Sequence, residues 1–235
     1  MMRRDAPFLA PQAAPLAGLR GRPLLYAMFR LWWLKASGTT VFITLFFTAY
    51  VHLLKNPSGA VTEMPLLWLD QAVGVHTLAL PVYVSLWVYV SLPTLLLFTV
   101  AELASFGLAA ALLCLSGLAC FYLWPTAVPP ANIDWGQYPG FAFMKGMDAA
   151  GNACPSLHVA TAVFSACWLQ ALLRRIAAPA WLNAANWLWC LAIAYSTLAT
   201  KQHVAVDMLA GIALGGVAGL LSLRACADRL ARYRP

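Results

Sequence analysis

The chain has 235 residues, of which 62% are hydrophobic and 10% charged, with 15 Lys+Arg against 8 Asp+Glu and a formal net charge of +7. A water-soluble domain needs about a quarter charged residues to keep its surface wet. The composition therefore argues against a soluble globular domain, and equally against intrinsic disorder or a hydrated basic face for nucleic acid. What remains is a chain whose surface is solvated mostly by lipid.

Taken from the N-terminus, residues 1–24 carry Arg3, Arg4, Arg20 and Arg22, and Pro7, Pro11 and Pro15 interrupt their apolar stretch. A cleavable signal peptide needs an unbroken apolar core, so this segment reads as a basic cytoplasmic tail. Six runs of about 20 residues follow, at roughly 36–54, 77–98, 103–124, 156–173, 180–200 and 203–223, each long enough to cross a hydrocarbon core. Backbone groups in lipid must be bonded within the segment, which makes the runs helices. The expectation is an all-α polytopic membrane protein, a six-helix bundle over residues 25–225 with a second basic tail at 226–235. The loop at about 55–76 reads as a capping or substrate-entry element. Gly211, Gly215 and Gly219 form a bare stripe suited to close helix packing. Cys114, Cys120, Cys167 and Cys190 lie in apolar runs and read as small hydrophobes instead of a disulfide framework.

Twelve of the fifteen cations fall in the N-terminal region through Lys35, at Arg174 and Arg175, or from Arg224 onward; only Lys55, Lys145 and Lys201 fall on the other side. By the bias of Lys and Arg toward the cytoplasm, both termini face inward, in a cytoplasmic membrane, and the long segment at about 125–155 faces outward.

Asp207 is the one charged residue inside the six runs. An intramembrane carboxylate marks function by default. His203 lies four residues before it, on the same helix face, where a carboxylate can hold one imidazole nitrogen and leave the other as base or nucleophile. His158 begins the fourth run in Cys154-Pro155-Ser156-Leu157-His158, and the hairpin of runs four and five returns the start of run six to the same membrane face. Ser156 is suited to cap that fourth helix, whose N-terminus is an anion site. Lys201 and Lys145 are the nearest cations. Two histidines, a carboxylate and an anion site at a lipid boundary suggest phosphoryl chemistry on a lipid. A zinc site built from His158, His203 and Asp207 is an alternative. His52 reads as an interfacial anchor, and neither it nor His76 is given a chemical role.

Pro155-Ser156-Leu157-His158 and the run from Ser196 through His203 to Asp207 resemble the second and third signature motifs of the type 2 phosphatidic acid phosphatase superfamily, P-S-x-H and S-R-x5-H-x3-D. The resemblance implies a six-span fold over most of residues 30–223. It implies His203 as the nucleophile that attacks phosphorus, Asp207 as its orienting carboxylate and His158 as the acid that protonates the leaving alkoxide. Ser156 and Ser196 match phosphate-pocket positions, and no metal or other cofactor is implied. Two features depart from the family: Pro125 to Asn132 holds no counterpart of the basic first motif K-x6-R-P, and Thr197 stands where the family has Arg. Lys201 and Lys145, with Asn152 and the N-terminus of the fourth helix, are the candidates to bind phosphate instead. The pattern looks similar to the branch that includes inositol phosphorylceramide and sphingomyelin synthases, which pass a phosphorylated headgroup to an alcohol.

The expected protein is an integral-membrane lipid phosphatase that hydrolyses a lipid phosphomonoester or diphosphate through a phosphohistidine at the outer membrane face. Its partners are a lipid phosphate and the membrane, with no nucleic acid. A phosphotransferase acting on a lipid alcohol and a non-catalytic phospholipid-binding or transport protein are the alternatives.

Overall fold

A computed structural model describes residues 29–131, 133–138, 141 and 151–231. Each expected run is helical. The long helices are α1 (Trp32–Lys55), α6 (Val100–Leu123), α7 (Leu157–Arg175), α8 (Ala180–Ala199) and α9 (Ala205–Ala231). The first loop holds the short α2 (Trp68–Ala72), and the second run is divided into α3 (Ala79–Val84), α4 (Leu86–Tyr89) and α5 (Leu92–Leu96). Among the described residues five segments, Trp32–Lys55, Ala79–Leu96, Val100–Leu123, Leu157–Arg175 and Ala205–Ala227, are long and apolar enough to cross a membrane. The remaining helix, α8, is made more polar by Asn183 and Asn186. Those side chains face inward: the Tyr89 hydroxyl donates to Asn186 Oδ1 at 2.7 Å, Asn186 Nδ2 donates to the Ala166 carbonyl, and Gln170 Nε2 donates to Asn183 Oδ1 at 2.6 Å. They join helices where lipid offers no hydrophobic drive to do so.

The second run differs from a continuous helix for a local reason. Pro81 and Pro93 supply no N–H, and around Ser91 the bonding tightens to an i−3 contact with the Val88 carbonyl. Pro93 then falls in the first turn of α5, where a missing donor is tolerated.

The most buried of the helices, α7, packs against α9, α8, α6 and the broken segment. Trp168, fully buried, donates to Ser222 Oγ of α9 at 2.9 Å. The glycine stripe permits the α7–α9 approach: a Cβ at Gly211 would stand 2.5 Å from the Ser156 carbonyl oxygen, and one at Gly215 would stand 2.3 Å from that of Ala160. All six cysteines are free thiols. Exposed tryptophans occur at both ends of the helices, Trp33 and Trp181 at one and Trp68 and Trp124 at the other, as an interfacial belt requires.

Asp207 is not the only charge inside the helices. Glu102 and Arg175 are buried and form a 2.7 Å ion pair, and buried Lys35 donates to the Leu95 carbonyl. Glu102 also accepts from the Phe98 and Thr99 amides and completes a capping box with Thr99 at the start of α6. All three charges lie just outside the apolar runs, on ends of helices α1, α6 and α7 that extend past them. Two of the cations that set the topology bias are thus paired interior groups. Glu102→Leu should leave Arg175 buried without its counter-charge and lower stability by about 3–5 kcal/mol. Thermal unfolding of the detergent-solubilised variant checks this, and an unchanged midpoint would contradict it.

Candidate active site

The site is assembled where α7 and α9 begin. Ser156 is the N-cap of α7, its Oγ accepting from the Val159 amide at 3.2 Å, while its own N–H donates to the Asp207 carbonyl at 2.9 Å. Asp207 is the third residue of α9 and is fully buried. Its Oδ1 accepts from the Val204 amide at 2.7 Å, one half of a capping box, and its Oδ2 lies 2.8 Å from His203 Nδ1. A carboxylate accepts, so the proton sits on Nδ1 and the other ring nitrogen, Nε2, is left available.

The turn that delivers His203 is held from three sides. Lys201 has a left-handed φ of 54°, which reverses the chain between α8 and α9. The Gln202 and His203 amides both donate to the Thr197 carbonyl, at 3.1 and 3.2 Å. The Lys201 ammonium donates to the Asp70 and Val73 carbonyls at 2.8 and 2.6 Å. Burial lowers its pKa, and the negative charge of Asp70 acts in the opposite direction. Asp70 itself accepts from the Ala205 amide through Oδ1 and from the Leu67 amide through Oδ2, both at 2.8 Å. The first loop therefore bonds the first amide of α9 through Asp70.

A second layer supports the start of α7. Strands β1 (Thr62–Glu63) and β2 (Thr126–Ala127) form a parallel pair. Thr126, fully buried, accepts from the Cys154 amide through Oγ1 at 2.8 Å and from the Ala153 amide through its carbonyl. In the segment from Pro125 to Asn132, which holds no Lys or Arg, Thr126 thus supplies a hydroxyl that bonds backbone. Burial, and after it the Asp207 charge and Cys120, push the Cys154 thiol up to about 11, so it stays protonated at neutral pH.

His158 and His203 line one cavity of about 630 Å³, together with Gln202 and Asn152. Along α1 its wall runs through Lys35, Gly38, Phe42, Phe46 and Tyr50, a single helix face about 22 Å long by the rise of an α-helix. The His158 ring stacks on Tyr83 with centroids 4.0 Å apart. Among the described residues, His158 Nε2 and Gln202 Nε2 are buried atoms with no hydrogen-bond partner.

The structure thus brings together His158, His203, Asp207, Ser156 and Asn152, the last also donating to the Tyr50 carbonyl at 3.1 Å. It does not bring Ser196 there: its Oγ donates to the Ile193 carbonyl at 2.6 Å, and it borders a separate small cleft with His76 and Tyr195. The Lys201 ammonium is likewise held on loop carbonyls and does not line the cavity, because the left-handed turn directs Gln202 and His203 there instead. Lys145 lies outside the described residues. Among those described, no group of His, Cys, Asp and Glu is arranged to hold a metal ion. Gln202, Asp70 and Thr126 were missed. For Gln202 the available signal was its position beside His203, and for Asp70 it was an acid in an otherwise apolar segment.

Fold and site define a multi-pass helical membrane protein with a His–Asp pair and a second histidine at one end of a long apolar cavity. The model of the PAP2 superfamily matches residues 98–230, and the chain belongs to that superfamily. Membership supports a phosphatase- or phosphotransferase-type function in lipid chemistry. No curated protein and no solved structure matches the chain.

Asp70→Ala should strip the buried Ala205 amide and the part-buried Leu67 amide of their acceptor and cost about 1–3 kcal/mol, read as a lower thermal midpoint. Retention of the wild-type midpoint would mean that the loop does not anchor α9.

Proposed function

We propose that the protein is a lipid phosphatase that works through a phosphohistidine at His203. The observation that carries this reading is the bond between His203 Nδ1 and buried Asp207, which leaves Nε2 free beside His158 at the end of an apolar cavity. Nε2 attacks phosphorus, the ester P–O bond breaks, and His158 gives its proton to the departing alkoxide. Water, deprotonated by His158, then cleaves the P–N bond and regenerates the imidazole. The anionic phosphate arriving beside Nε2 of His158 supplies the counter-charge for an imidazolium there. Asn152 and the N-terminus of α7 act as phosphate-binding elements. Lys201 acts as a positioning residue through Asp70 and Val73. The same first step serves a phosphotransferase if a lipid alcohol replaces water. The cation bias supports a topology with both termini inside and this end of the bundle at the outer face of a cytoplasmic membrane.

His203→Ala should abolish release of phosphate from long-chain phosphatidic acid or a prenyl diphosphate, and full retained activity would rule the mechanism out. The wild-type rate should follow a bell-shaped pH profile, because His203 must be neutral while His158 is protonated. A flat profile with chemistry limiting would contradict that division of roles.

The cavity wall makes a second prediction. Gly107 lines it, and a Cβ added there meets nothing within 4 Å, so a larger side chain can enter without displacing the helix. Gly107→Phe should shift the kcat/KM ratio of long- to short-chain substrate about tenfold toward the short chain, equivalent to about two buried methylenes. An unchanged ratio would place the lipid tail elsewhere.

A further inference from the structure

Gln202 has a place in the structure that the reaction described above does not use. It is 9% exposed, lines the cavity, and carries a side-chain Nε2 with no partner among the described residues. A buried amide donor left unbonded costs about 1–3 kcal/mol, so native structures rarely keep one without an ordered water or a ligand to satisfy it. A second unpaired buried nitrogen, Nε2, belongs to His158, which lines the same cavity. A hydrocarbon chain cannot satisfy either group. A tetrahedral oxyanion, with several acceptor oxygens around one centre, can satisfy both.

The backbone explains why Gln202 is fixed in position. Its amide shares the Thr197 carbonyl with the amide of His203, and the preceding Lys201 is locked by a left-handed turn and by the two carbonyls that hold its ammonium. Any group bound by the Gln202 side chain therefore lies next to His203. Thr197, which occupies the position of the family's Arg, is fully buried, and its hydroxyl donates to the Ala194 carbonyl at 2.7 Å. It does not line the cavity, whereas Gln202 does.

We infer that Gln202 is a phosphate-binding residue, its side-chain N–H donating to a phosphoryl oxygen beside His203. The inference rests on the proposed reading of the site. A neutral amide adds direction without adding charge, so Gln202 positions the phosphoryl group while binding it less tightly than a guanidinium would.

The test uses the full chain in detergent or nanodiscs, with inorganic phosphate as the probe and phosphatidic acid turnover followed in parallel. Wild type, Gln202→Leu, Gln202→Glu and His203→Ala are compared at several pH values, with thermal unfolding checking that each is folded. Phosphate affinity should fall about 10–100-fold in Gln202→Leu, the range expected for a hydrogen bond to a charged group. In Gln202→Glu it should fall further at pH 8 and recover toward acid pH, measured relative to wild type, because a protonated carboxyl can donate and a carboxylate repels the anion. A purely structural role would give the two variants the same loss at every pH, and that outcome overturns the inference. Wild-type affinity in both variants, or no phosphate binding by the wild type, overturns it as well. Gln202-dependent phosphate binding by a protein whose turnover survives His203→Ala, or which has no turnover at all, would sustain the inference and reject the phosphohistidine reading.

Discussion

The buried carboxylate of Asp207 is the constraint on which the rest of the site depends. A carboxylate in the interior of a membrane protein is costly unless its lone pairs are bonded. Here it takes the Val204 amide and the His203 imidazole, while the carbonyl of the same residue takes the Ser156 amide. One residue thereby ties the beginning of α9, the beginning of α7 and the orientation of the reactive ring. The positive end of the α9 dipole acts in the same direction, since Asp207 occupies its first turn. Close approach of the two helices is a precondition, and Gly211 and Gly215 provide it, because a side chain at either would strike the α7 backbone.

Around this centre the molecule is polar at both ends and apolar between them. At the site end, the β1–β2 pair, Thr126 and Asp70 satisfy the amides that a helix start would otherwise leave unbonded. At the other end, Glu102, Arg175 and Lys35 bond one another or the carbonyls of the broken second segment. The cavity joins the two, from Lys35 to His203, with aromatic and glycine walls. Such a shape suits a molecule with one charged end and one long apolar tail.

Much of this could be read from residue types and spacing. The six helical runs, the packing role of the glycine stripe and the convergence of His158, His203 and Asp207 all follow from periodicity and from the cost of charge in lipid. The failures have physical reasons. Pro81 and Pro93 were visible, but hydropathy alone does not show where a helix breaks. The ends of α1, α6 and α7 extend past their apolar runs, which hid the pairing of Glu102 with Arg175. Lys201 has the right charge and the right position in the chain, yet a left-handed backbone turns its ammonium toward the first loop and leaves its neighbour Gln202 facing the cavity. Side-chain direction at such a turn is a tertiary outcome, and a motif spacing does not encode it. Ser196 illustrates the same limit, its hydroxyl bonding one turn back within its own helix.

The most direct measurement is mapping of the bound phosphoryl group: wild-type protein is mixed briefly with substrate, quenched in alkali and analysed by mass spectrometry of its peptides. Phosphorylation should fall on His203, in an acid-labile and alkali-stable bond, and should vanish in Asp207→Ala as the ring loses its orienting partner. Turnover with no phosphoryl group ever found on His203, or with the group on another residue, would contradict the role assigned to the His203–Asp207 pair.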